Sequence, residues 1–210
     1  MKKHIIFDFD GTLWDSFHVS LSWYNKFSKF FWLKNITTLE EIDFLRKSEP
    51  NEILKYIWLS TWKIPFFLIL VKLYINFHRN DVSLFPWISD LLHKLKDDWY
   101  MLYILSSNST SFIKNRLKNI WEKSCISRIV GSSSLLSKDK NILSLLQKEW
   151  IDISEAIYIW DEVRDIVACN KINIDSVAVS RWYSHKEALV THTNSIIDTV
   201  DDLFEYIQKH

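Results

Sequence analysis

Two hydrophobic rhythms alternate along most of this chain, and together they predict its architecture. Short apolar runs rich in β-branched and aromatic residues predict buried strands at 4–9, 101–107, 127–133, 156–160 and 175–180. Between the later runs, apolar residues recur at helical spacing. Strands that alternate with helices of this length predict right-handed crossovers and a parallel, doubly wound α/β sheet. The helices predicted in this part of the chain are 87–96, 111–120, 138–149 and 163–171.

The segment from residue 15 to residue 83 follows a different pattern. It is rich in aromatic residues, has few strand signals and is interrupted at Pro50 and Pro65, as expected for several helices joined by turns. The first strand must join the same sheet as the later strands, so the helical segment is an insertion after that strand. We therefore predict a core domain of residues 1–14 and 84–210 and an inserted α-helical domain of residues 15–83.

Composition and charge exclude several classes of function. The 210 residues carry 26 basic and 26 acidic side chains, so no overall basic field attracts nucleic acid or anionic lipid. The most apolar stretch, IPFFLILV at 64–71, is far shorter than the ~20 residues that span a membrane, and we interpret it as a buried helix rather than an interfacial one. Cys125 and Cys169 form no paired motif, and the acids Asp8 and Asp10 interrupt any signal peptide. We expect a cytoplasmic protein with reduced thiols and with neither nucleic-acid nor membrane partners.

Two acids follow the first predicted strand. Asp8 and Asp10 are two residues apart in FDFDGT, so their side chains leave the strand on the same side, at the carboxyl edge where open α/β sheets bind ligands. Two carboxylates this close repel each other unless a cation or a shared proton neutralises them, and Mg²⁺ coordinated by carboxylate oxygens does so. The alternative is a capped turn with two solvated acids. Because both acids belong to a buried strand, we prefer the cation site.

Polar residues also follow the strand at 101–107. Ser106, Ser107 and Asn108 stand just before a predicted helix, where hydroxyls and backbone amides suit a phosphate, although Ser and Asn are also ordinary helix caps. Lys138 begins another predicted helix, where a cation opposes the helix dipole. A nearby anion would explain Lys138, and a surface lysine is the alternative.

A second group of acids follows the strand at 156–160. Asp161, Glu162 and Asp165 lie at the start of a predicted helix, and Asp161 and Asp165 face the same way because they are four residues apart. Favourable interaction with the helix dipole is one explanation for these acids. Because parallel strands end at the same edge of a sheet, we expect them to converge with the acids after the first strand and to complete the cation site.

Together these stretches resemble the motifs of the haloacid dehalogenase-like hydrolase superfamily, in particular its phosphoglycolate phosphatase-like branch. FDFDGTLWDS is similar to the first motif, ILSSN to the second, the lysine of LLSKDK to the third and WDEVRD to the fourth, in the same order along the chain. The resemblance covers the whole chain and implies a Rossmann-like core with a helical cap domain at 15–83. It implies that Asp8 is the nucleophile and that Asp10 is the general acid and base. It also implies phosphate ligands at Ser106, Ser107, Asn108 and Lys138, and Mg²⁺ ligands at Asp8, Asp10, Asp161 and Asp165.

The resemblance further implies a Mg²⁺-dependent phosphatase that acts on a small phosphorylated metabolite through an aspartyl phosphate. A phosphomutase of the same superfamily and a catalytically inactive binding protein with this fold are the alternatives. The partner is then a small phosphorylated molecule, and the protein is a monomer or homodimer. Arg46 and Lys47 in the cap are candidate ligands for a second acidic group of the substrate, with a solvated cap surface as the other interpretation.

Tryptophan stands in several places where glycine is expected. The chain has 11 Trp and 2 Gly, whereas a usual glycine content of ~7% would give roughly 15 Gly. Five Trp follow predicted helices at the position that commonly adopts left-handed backbone, and three more stand at a turn, in a loop after a strand and directly before Asp161. In the family that the chain resembles, these eight places usually hold glycine. They are Trp32, Trp58, Trp99, Trp121 and Trp150, and then Trp87, Trp182 and Trp160.

A coding explanation accounts for this pattern. In some bacterial lineages the codon UGA encodes glycine, whereas a common alternative translation table reads it as tryptophan. We hypothesise that UGA codons account for these eight residues, so that the native chain has glycine there. The alternative is a tryptophan-rich protein that repacked around its aromatic side chains. We also expect Trp160 to crowd a cation at Asp161, whereas Trp14, Trp23 and Trp62 do not follow the pattern.

Overall fold

One parallel β-sheet organises the computed structural model, which describes residues 2–48, 50–77, 84–117, 122–131, 138–180 and 185–210. All strand pairs in this sheet are parallel, which confirms the predicted doubly wound α/β architecture. The strands are β1 (His4–Phe7), β2 (Met101–Ser106), β3 (Ile126–Gly131), β4 (Ala156–Trp160), β5 (Asp175–Val179) and β6 (Ile196–Ile197). Their order across the sheet is β3-β2-β1-β4-β5-β6.

The strand order reverses beside β1, and this reversal positions the chemistry. The chain runs outward through β2 to β3 and then returns to β4 on the other side of β1. Phe7 is in register with Ile104 of β2 and with Ile159 of β4, so the three central strands end at nearly the same level. The crevice outside the carboxyl ends of strands at such a reversal is the usual ligand site of open α/β sheets.

Helices cover both faces of the sheet, because successive strand residues point to opposite faces. On one face, Ile5 and Phe7 pack with apolar side chains of the helices that precede β2 and end the chain. On the other face, Ile6 packs with apolar side chains of the two helices that flank β4. The core helices are α5 (Ile88–Asp97), α6 (Thr110–Arg116), α7 (Glu122–Cys125), α8 (Lys138–Glu149), α9 (Val163–Ile172), α10 (Lys186–Leu189) and α11 (Val200–Lys209).

The segment between β1 and β2 is helical and has a hydrophobic cluster of its own. Its buried members include Trp23 and Tyr24, and Thr38 begins one helix with a capping box in which Glu41 takes part. The division of the chain at residues 14/15 and 83/84 stays a prediction, and residue 83 lies outside the described residues. The helices of this segment are α1 (Phe17–Ser28), α2 (Leu39–Lys47), α3 (Pro50–Tyr56) and α4 (Ile64–Phe77), with 3-10 turns at Lys29–Phe31 and Thr61–Lys63.

The apolar helix α4 is only partly buried, so the expectation of a buried helix is wrong for one of its faces. Phe67 and Tyr74 pack against the cluster around Trp23. Phe66 and Ile69, on the other face, are 70% and 58% exposed. The helix is apolar all round, so its sequence does not indicate which face the neighbouring helices cover. No helix in the described part of the chain is long and apolar enough to cross a membrane.

The elements after β5 are absent from the sequence prediction. Strand β6 contains only Ile196–Ile197, too short to stand out as an apolar run. Helix α11 has a signal that was missed, since the Thr199 hydroxyl accepts a hydrogen bond from the backbone N–H of Asp202. The last residues of the predicted helix at 111–120 lie outside the described ranges, and α6 ends at Arg116.

Four of the five predicted helix ends have the expected left-handed backbone with tryptophan in it. At each end, two hydrogen bonds close the helix in the same way, as in a Schellman motif. After α5, for example, the N–H of Trp99 donates to Lys96 O at 3.0 Å and the N–H of Tyr100 donates to Leu95 O at 3.0 Å. The φ angles are 53° at Trp32, 62° at Trp58, 65° at Trp99 and 58° at Trp150, and these side chains are 83%, 66%, 90% and 94% exposed.

A fifth helix ends in the same motif with a residue that suits it. Asn173 follows α9 with φ 54°, and its backbone makes the equivalent pair of hydrogen bonds. Asn is the side chain that tolerates left-handed backbone best after glycine. The indoles of the other four ends are largely exposed and gain little burial that would offset the strain, so the backbone there favours glycine over tryptophan.

The remaining tryptophans behave differently. Trp87 has φ −86° at the start of α5, so it is not left-handed. Trp160 is fully buried in the core on the face of the sheet that also holds Tyr158, and the expectation that its indole crowds a cation at Asp161 stays a prediction. Its indole N–H is buried without a hydrogen-bond partner in the described structure. Trp121 and Trp182 lie outside the described residues.

We expect glycine substitution at the four left-handed positions to stabilise the protein. Left-handed backbone costs a non-glycine residue about 1–2 kcal/mol, which the glycine variant avoids. Glycine also has greater conformational freedom in the unfolded chain, and this offsets about 0.4–1 kcal/mol of the stabilisation. Each of Trp99→Gly and Trp150→Gly should therefore raise the melting temperature by about 1–4 °C, measured by calorimetry. Trp62→Gly is the matched control, because Trp62 is 73% exposed but is not left-handed, and it should give no gain.

The coding hypothesis predicts UGA codons at all eight tryptophan positions and glycine in the protein isolated from its native cell. Genomic DNA sequencing and peptide mass spectrometry measure the two directly. UGG codons at the four left-handed positions would contradict the hypothesis. An unchanged or lower melting temperature in the glycine variants would contradict the strain estimate instead.

Candidate active site

A tight loop after β1 presents the first two acids. The backbone N–H of Asp8 still donates to Ile159 O of β4, at 2.9 Å, so Asp8 is held as an extension of the sheet. Gly11 has φ 74°, a backbone conformation that favours glycine, and its N–H donates to Trp14 O at 2.9 Å. The turn brings the chain back over the sheet edge. The Asp8 side chain is only 4% exposed and lies near the Asp10 side chain.

Lys138 joins two of the predicted acids. Its Nζ lies 2.8 Å from Asp8 Oδ1 and 2.8 Å from Asp165 Oδ1, although the three residues come from different parts of the chain. Burial lowers the pKa of this lysine, but the charges of Asp165 and Asp8 outweigh burial and hold the pKa well above its usual value. The first residue of α8 is therefore an ammonium bound between carboxylates, which accounts for a cation at a helix N-terminus.

Asp10 is held by the loop that follows β2. Asn108 Nδ2 donates to Asp10 Oδ2 at 2.6 Å, and the Ser106 hydroxyl approaches the same oxygen at 3.5 Å. Burial, followed by the charges of Asp8 and Glu162, raises the pKa of Asp10 to about 7, against the opposing effects of Asn108 and Lys138. A carboxyl group poised near neutral pH is suited to both giving and taking a proton.

Asp161 is fixed by the loop after β1 and is completely buried. The Thr12 hydroxyl donates to Asp161 Oδ1 at 2.7 Å. The other carboxylate oxygen, Oδ2, is buried and has no hydrogen-bond partner in the part of the chain that is described. Burial, with the charges of Glu162 and Asp8, raises the pKa of Asp161 well above its usual value. Such an oxygen is stable as an anion only with a cation beside it.

Asp165 lies on the first turn of α9 and is also buried. Burial and the charge of Asp8 raise its pKa to about 7, while Lys138 opposes them. Apart from the ion pair with Lys138, its carboxylate oxygens have no hydrogen-bond partner within the described ranges.

A second ion pair lies next to these acids in the sequence. Arg164 Nε pairs with Glu162 Oε2 at 2.5 Å.

The four acids fit a divalent cation by charge and by donor type. Four carboxylates, on Asp8, Asp10, Asp161 and Asp165, face the single ammonium of Lys138, so negative charge is in excess. Within the described residues, no three Asp, Glu, His or Cys side chains are grouped as a complete metal cage. Mg²⁺ does not require one, because it takes one or two protein carboxylates and completes its shell with water and phosphate oxygens. The unpartnered Asp161 Oδ2 is the donor most clearly available to such an ion.

The Ser106–Asn108 loop reaches the site through close backbone packing on β3. Gly131 is the last residue of β3, and its N–H donates to the Thr110 hydroxyl at 2.9 Å. A Cβ at position 131 would lie 2.4 Å from Asn108 O and 2.1 Å from Thr110 N, so a larger residue cannot stand there without a shift. The Ser106 Oγ accepts a hydrogen bond from the N–H of Asn108 at 3.0 Å, which shapes the turn.

The structure thus brings the predicted residues to one edge and adds contacts that sequence reasoning missed. The role of Asn108 as a phosphate ligand stays a prediction, and its side chain binds Asp10, a contact that the sequence did not indicate. Thr12 was not predicted as a site residue, and its hydroxyl binds Asp161. Tyr158, a residue of β4 beneath Lys138, carried no sequence signal because it belongs to an ordinary apolar strand.

The chain is similar in sequence and in fold to known proteins. Residues 5–179 match the family model of haloacid dehalogenase-like hydrolases. A phosphoglycolate phosphatase of Synechococcus elongatus is 29% identical over 208 residues, which are 98% of this chain and 97% of that protein. A predicted phosphatase from Clostridium acetobutylicum has a similar fold, with a TM-score of 0.80, 24% identity and full coverage of both chains. A haloacid dehalogenase-like hydrolase from Streptococcus pneumoniae gives a TM-score of 0.78 at 24% identity, covering 99% of each chain.

We expect Gly131→Ala to damage both stability and activity. The added Cβ must displace the backbone at Asn108–Thr110, which should lower the free energy of unfolding by about 1–3 kcal/mol. The same displacement moves Asn108 away from Asp10, so kcat should fall. Chemical denaturation and steady-state kinetics measure the two effects. Ser127→Ala, an exposed position on the same strand, is the control and should change neither. A fully active Gly131→Ala enzyme would show that the loop adapts.

Proposed function

Since the chain belongs to the haloacid dehalogenase-like hydrolase family, we propose that it is a Mg²⁺-dependent phosphatase that hydrolyses a small phosphorylated metabolite through an aspartyl phosphate. Its similarity to phosphoglycolate phosphatases makes it a hydrolase of phosphoric monoesters. One observation carries the finer proposal. A buried lysine is bound between Asp8 and Asp165, and beside it Asp10 is hydrogen-bonded by Asn108 at a sheet edge rich in unneutralised acids.

In the first step, a carboxylate oxygen of Asp8 attacks phosphorus. A bond forms between that oxygen and phosphorus, and the bond from phosphorus to the leaving-group oxygen breaks. Asp10, whose pKa is raised by burial to about 7, donates the proton of its protonated form to the departing alkoxide. The alcohol leaves, and the phosphoryl group stays on Asp8 as an acyl phosphate, so that one difficult hydrolysis becomes two easier reactions.

In the second step, water attacks the phosphoryl group on Asp8. Asp10, now ionised, takes a proton from this water, and the bond between phosphorus and the Asp8 oxygen breaks to release inorganic phosphate. Lys138 stays beside Asp8 in both steps and offsets negative charge on the transferring oxygens. We assign the Ser106 hydroxyl and the Ser107 backbone amide as neutral donors for the same oxygens, whereas the Asn108 N–H donates to Ser106 Oγ and shapes the turn.

The residues that would hold Mg²⁺ are Asp8, Asp10 and Asp161. Asp165 would either bind the ion through the oxygen that does not pair with Lys138 or support the site indirectly by holding Lys138. When bound, the ion neutralises the excess of carboxylate charge and polarises the phosphoryl group. Thr12 holds Asp161 Oδ1, so the Oδ2 of the same carboxylate is presented in one orientation. This orientation by a neighbouring hydroxyl is typical of carboxylate metal ligands.

The cap contacts the core close to one of the two candidate substrate cations. The backbone N–H of His185 in the core donates to Arg46 O of α2 at 2.8 Å, and the Arg46 guanidinium lies 5.2 Å from the ring centroid of Phe17. Lys47 instead pairs with Asp43 at 2.7 Å on the surface of the same helix. Of the two, Arg46 is therefore the better candidate for an acidic group of the substrate, such as the carboxylate of phosphoglycolate.

We expect Asp8→Asn to abolish turnover and leave the fold intact. Asn keeps the shape of the side chain but has no anionic oxygen to attack phosphorus. Activity on p-nitrophenyl phosphate and phosphoglycolate, measured with Mg²⁺ and with EDTA, should be lost in the variant and metal-dependent in the wild type. Asp15→Asn, on the same loop, is the matched control for loss of an acid. Near-normal turnover by Asp8→Asn would contradict a mechanism in which Asp8 forms the aspartyl phosphate.

We expect Asp10→Asn to distinguish between substrates by their leaving groups. Asn cannot protonate an alkoxide, so kcat for an alkyl phosphate should fall at least tenfold more than kcat for p-nitrophenyl phosphate, whose leaving group needs no proton. Kinetics on the two substrates provide the comparison. Equal losses on both would mean that Asp10 positions the substrate and does not act as the acid.

A further inference from the structure

Tyr158 lies directly beneath the lysine of the site. It is the third residue of β4 and has no exposed surface. The centroid of its ring is 5.5 Å from Lys138 Nζ. Its hydroxyl is buried and has no hydrogen-bond partner of standard geometry among the described residues. A buried phenol with an unsatisfied hydroxyl is costly, so its position next to a buried ammonium calls for an explanation.

The hydroxyl and the ammonium influence each other strongly. Burial raises the pKa of the Tyr158 phenol well above its usual value, and the charge of Lys138 is the largest effect that opposes burial. A lysine ammonium has three N–H donors, and the two carboxylates at 2.8 Å account for two of them. Tyr158 is a neutral partner of the same ammonium, which lies over its ring and influences its hydroxyl electrostatically.

We propose that Tyr158 is a positioning residue for Lys138, its ring and hydroxyl holding the ammonium between Asp8 and Asp165 in the place where it meets the transferring phosphoryl group. This proposal rests on the proposed function, because it assigns Lys138 to that group. Lysine has a flexible four-carbon side chain, and holding it in one rotamer costs conformational entropy. A contact that restrains the lysine side chain before the substrate binds reduces the conformational entropy that is lost on binding.

A packing role for Tyr158 makes a different prediction. Tyr158 belongs to the core cluster that also contains Tyr103 of β2, and Tyr103 is 2% exposed. The Tyr103 hydroxyl interacts with His4 Nδ1 at 3.2 Å, at the far end of the strands. If Tyr158 only fills the core, removing its hydroxyl should resemble removing that of Tyr103. If Tyr158 positions Lys138, only its own substitution should change catalysis.

The test compares Tyr158→Phe with Tyr103→Phe. Loss of the interaction between the Tyr158 hydroxyl and the Lys138 ammonium should lower kcat on p-nitrophenyl phosphate about five- to tenfold in Tyr158→Phe. Tyr103→Phe should stay within about twofold of the wild type. Thermal melting of both variants establishes that they are folded. Equal activity of the two variants would overturn the proposal.

A double-mutant cycle with Lys138→Arg tests whether Tyr158 acts through the lysine. In the Lys138→Arg background, Tyr158→Phe should cost less than about twofold, because the group that it positions is no longer there. The same loss in both backgrounds would overturn the proposal. Calorimetric titration with inorganic phosphate measures its affinity for the wild type, the two single variants and the double variant. These four affinities give the same cycle, and they can be measured even for a variant without turnover. A wild type without metal-dependent phosphatase activity would contradict the proposed function, whereas an active wild type with additive losses contradicts only the role of Tyr158.

Discussion

The ammonium of Lys138, bound between Asp8 and Asp165, is the interaction on which the site depends. Each partner comes from a different element: the loop after β1, the start of α8 and the first turn of α9. An unpaired charge in such a buried place costs several kcal/mol, so none of the three side chains is stable there without the others. The docking of both helices onto the sheet and the assembly of the site are therefore one event.

Two hydrogen bonds extend this ion pair across the sheet edge. Thr12 ties the loop after β1 to Asp161 beyond β4, and Asn108 ties Asp10 to the loop beyond β2. The acids are thereby held close together in spite of their mutual repulsion. Their raised pKa values express the same fact, because each carboxyl group is buried near others and resists ionisation. A divalent cation relieves this repulsion, and so does a proton on Asp10.

Backbone conformation imposes a second constraint, and glycine satisfies it at two places. Gly11 turns the chain after Asp8, and Gly131 lets the Asn108 turn pack against β3. The four left-handed helix ends make the same demand, yet tryptophan occupies them, far out in solvent. In contrast, Trp14 and Trp23 are buried: Trp14 stacks on Phe9 and Trp23 meets Phe67 edge to face, as aromatic core residues do. Burial and φ together thus separate tryptophans that the fold uses from those that it only tolerates.

The sequence by itself determined five of the six strands, their parallel arrangement, the helical insertion and the edge at which the acids meet. It did so because apolar periodicity and the direction of parallel strands are local or topological properties. It also identified the four left-handed helix ends, since a helix that must stop before an extended segment usually ends in that conformation. Only the tertiary structure decided what each side chain contacts. The Asn108 side chain binds Asp10, the Trp160 indole lies in the core on the face of the sheet that holds Tyr158, and Tyr158 lies beneath Lys138. These contacts join residues more than 15 positions apart, and their geometry depends on how helices and loops pack across the sheet, which no periodicity along the chain records.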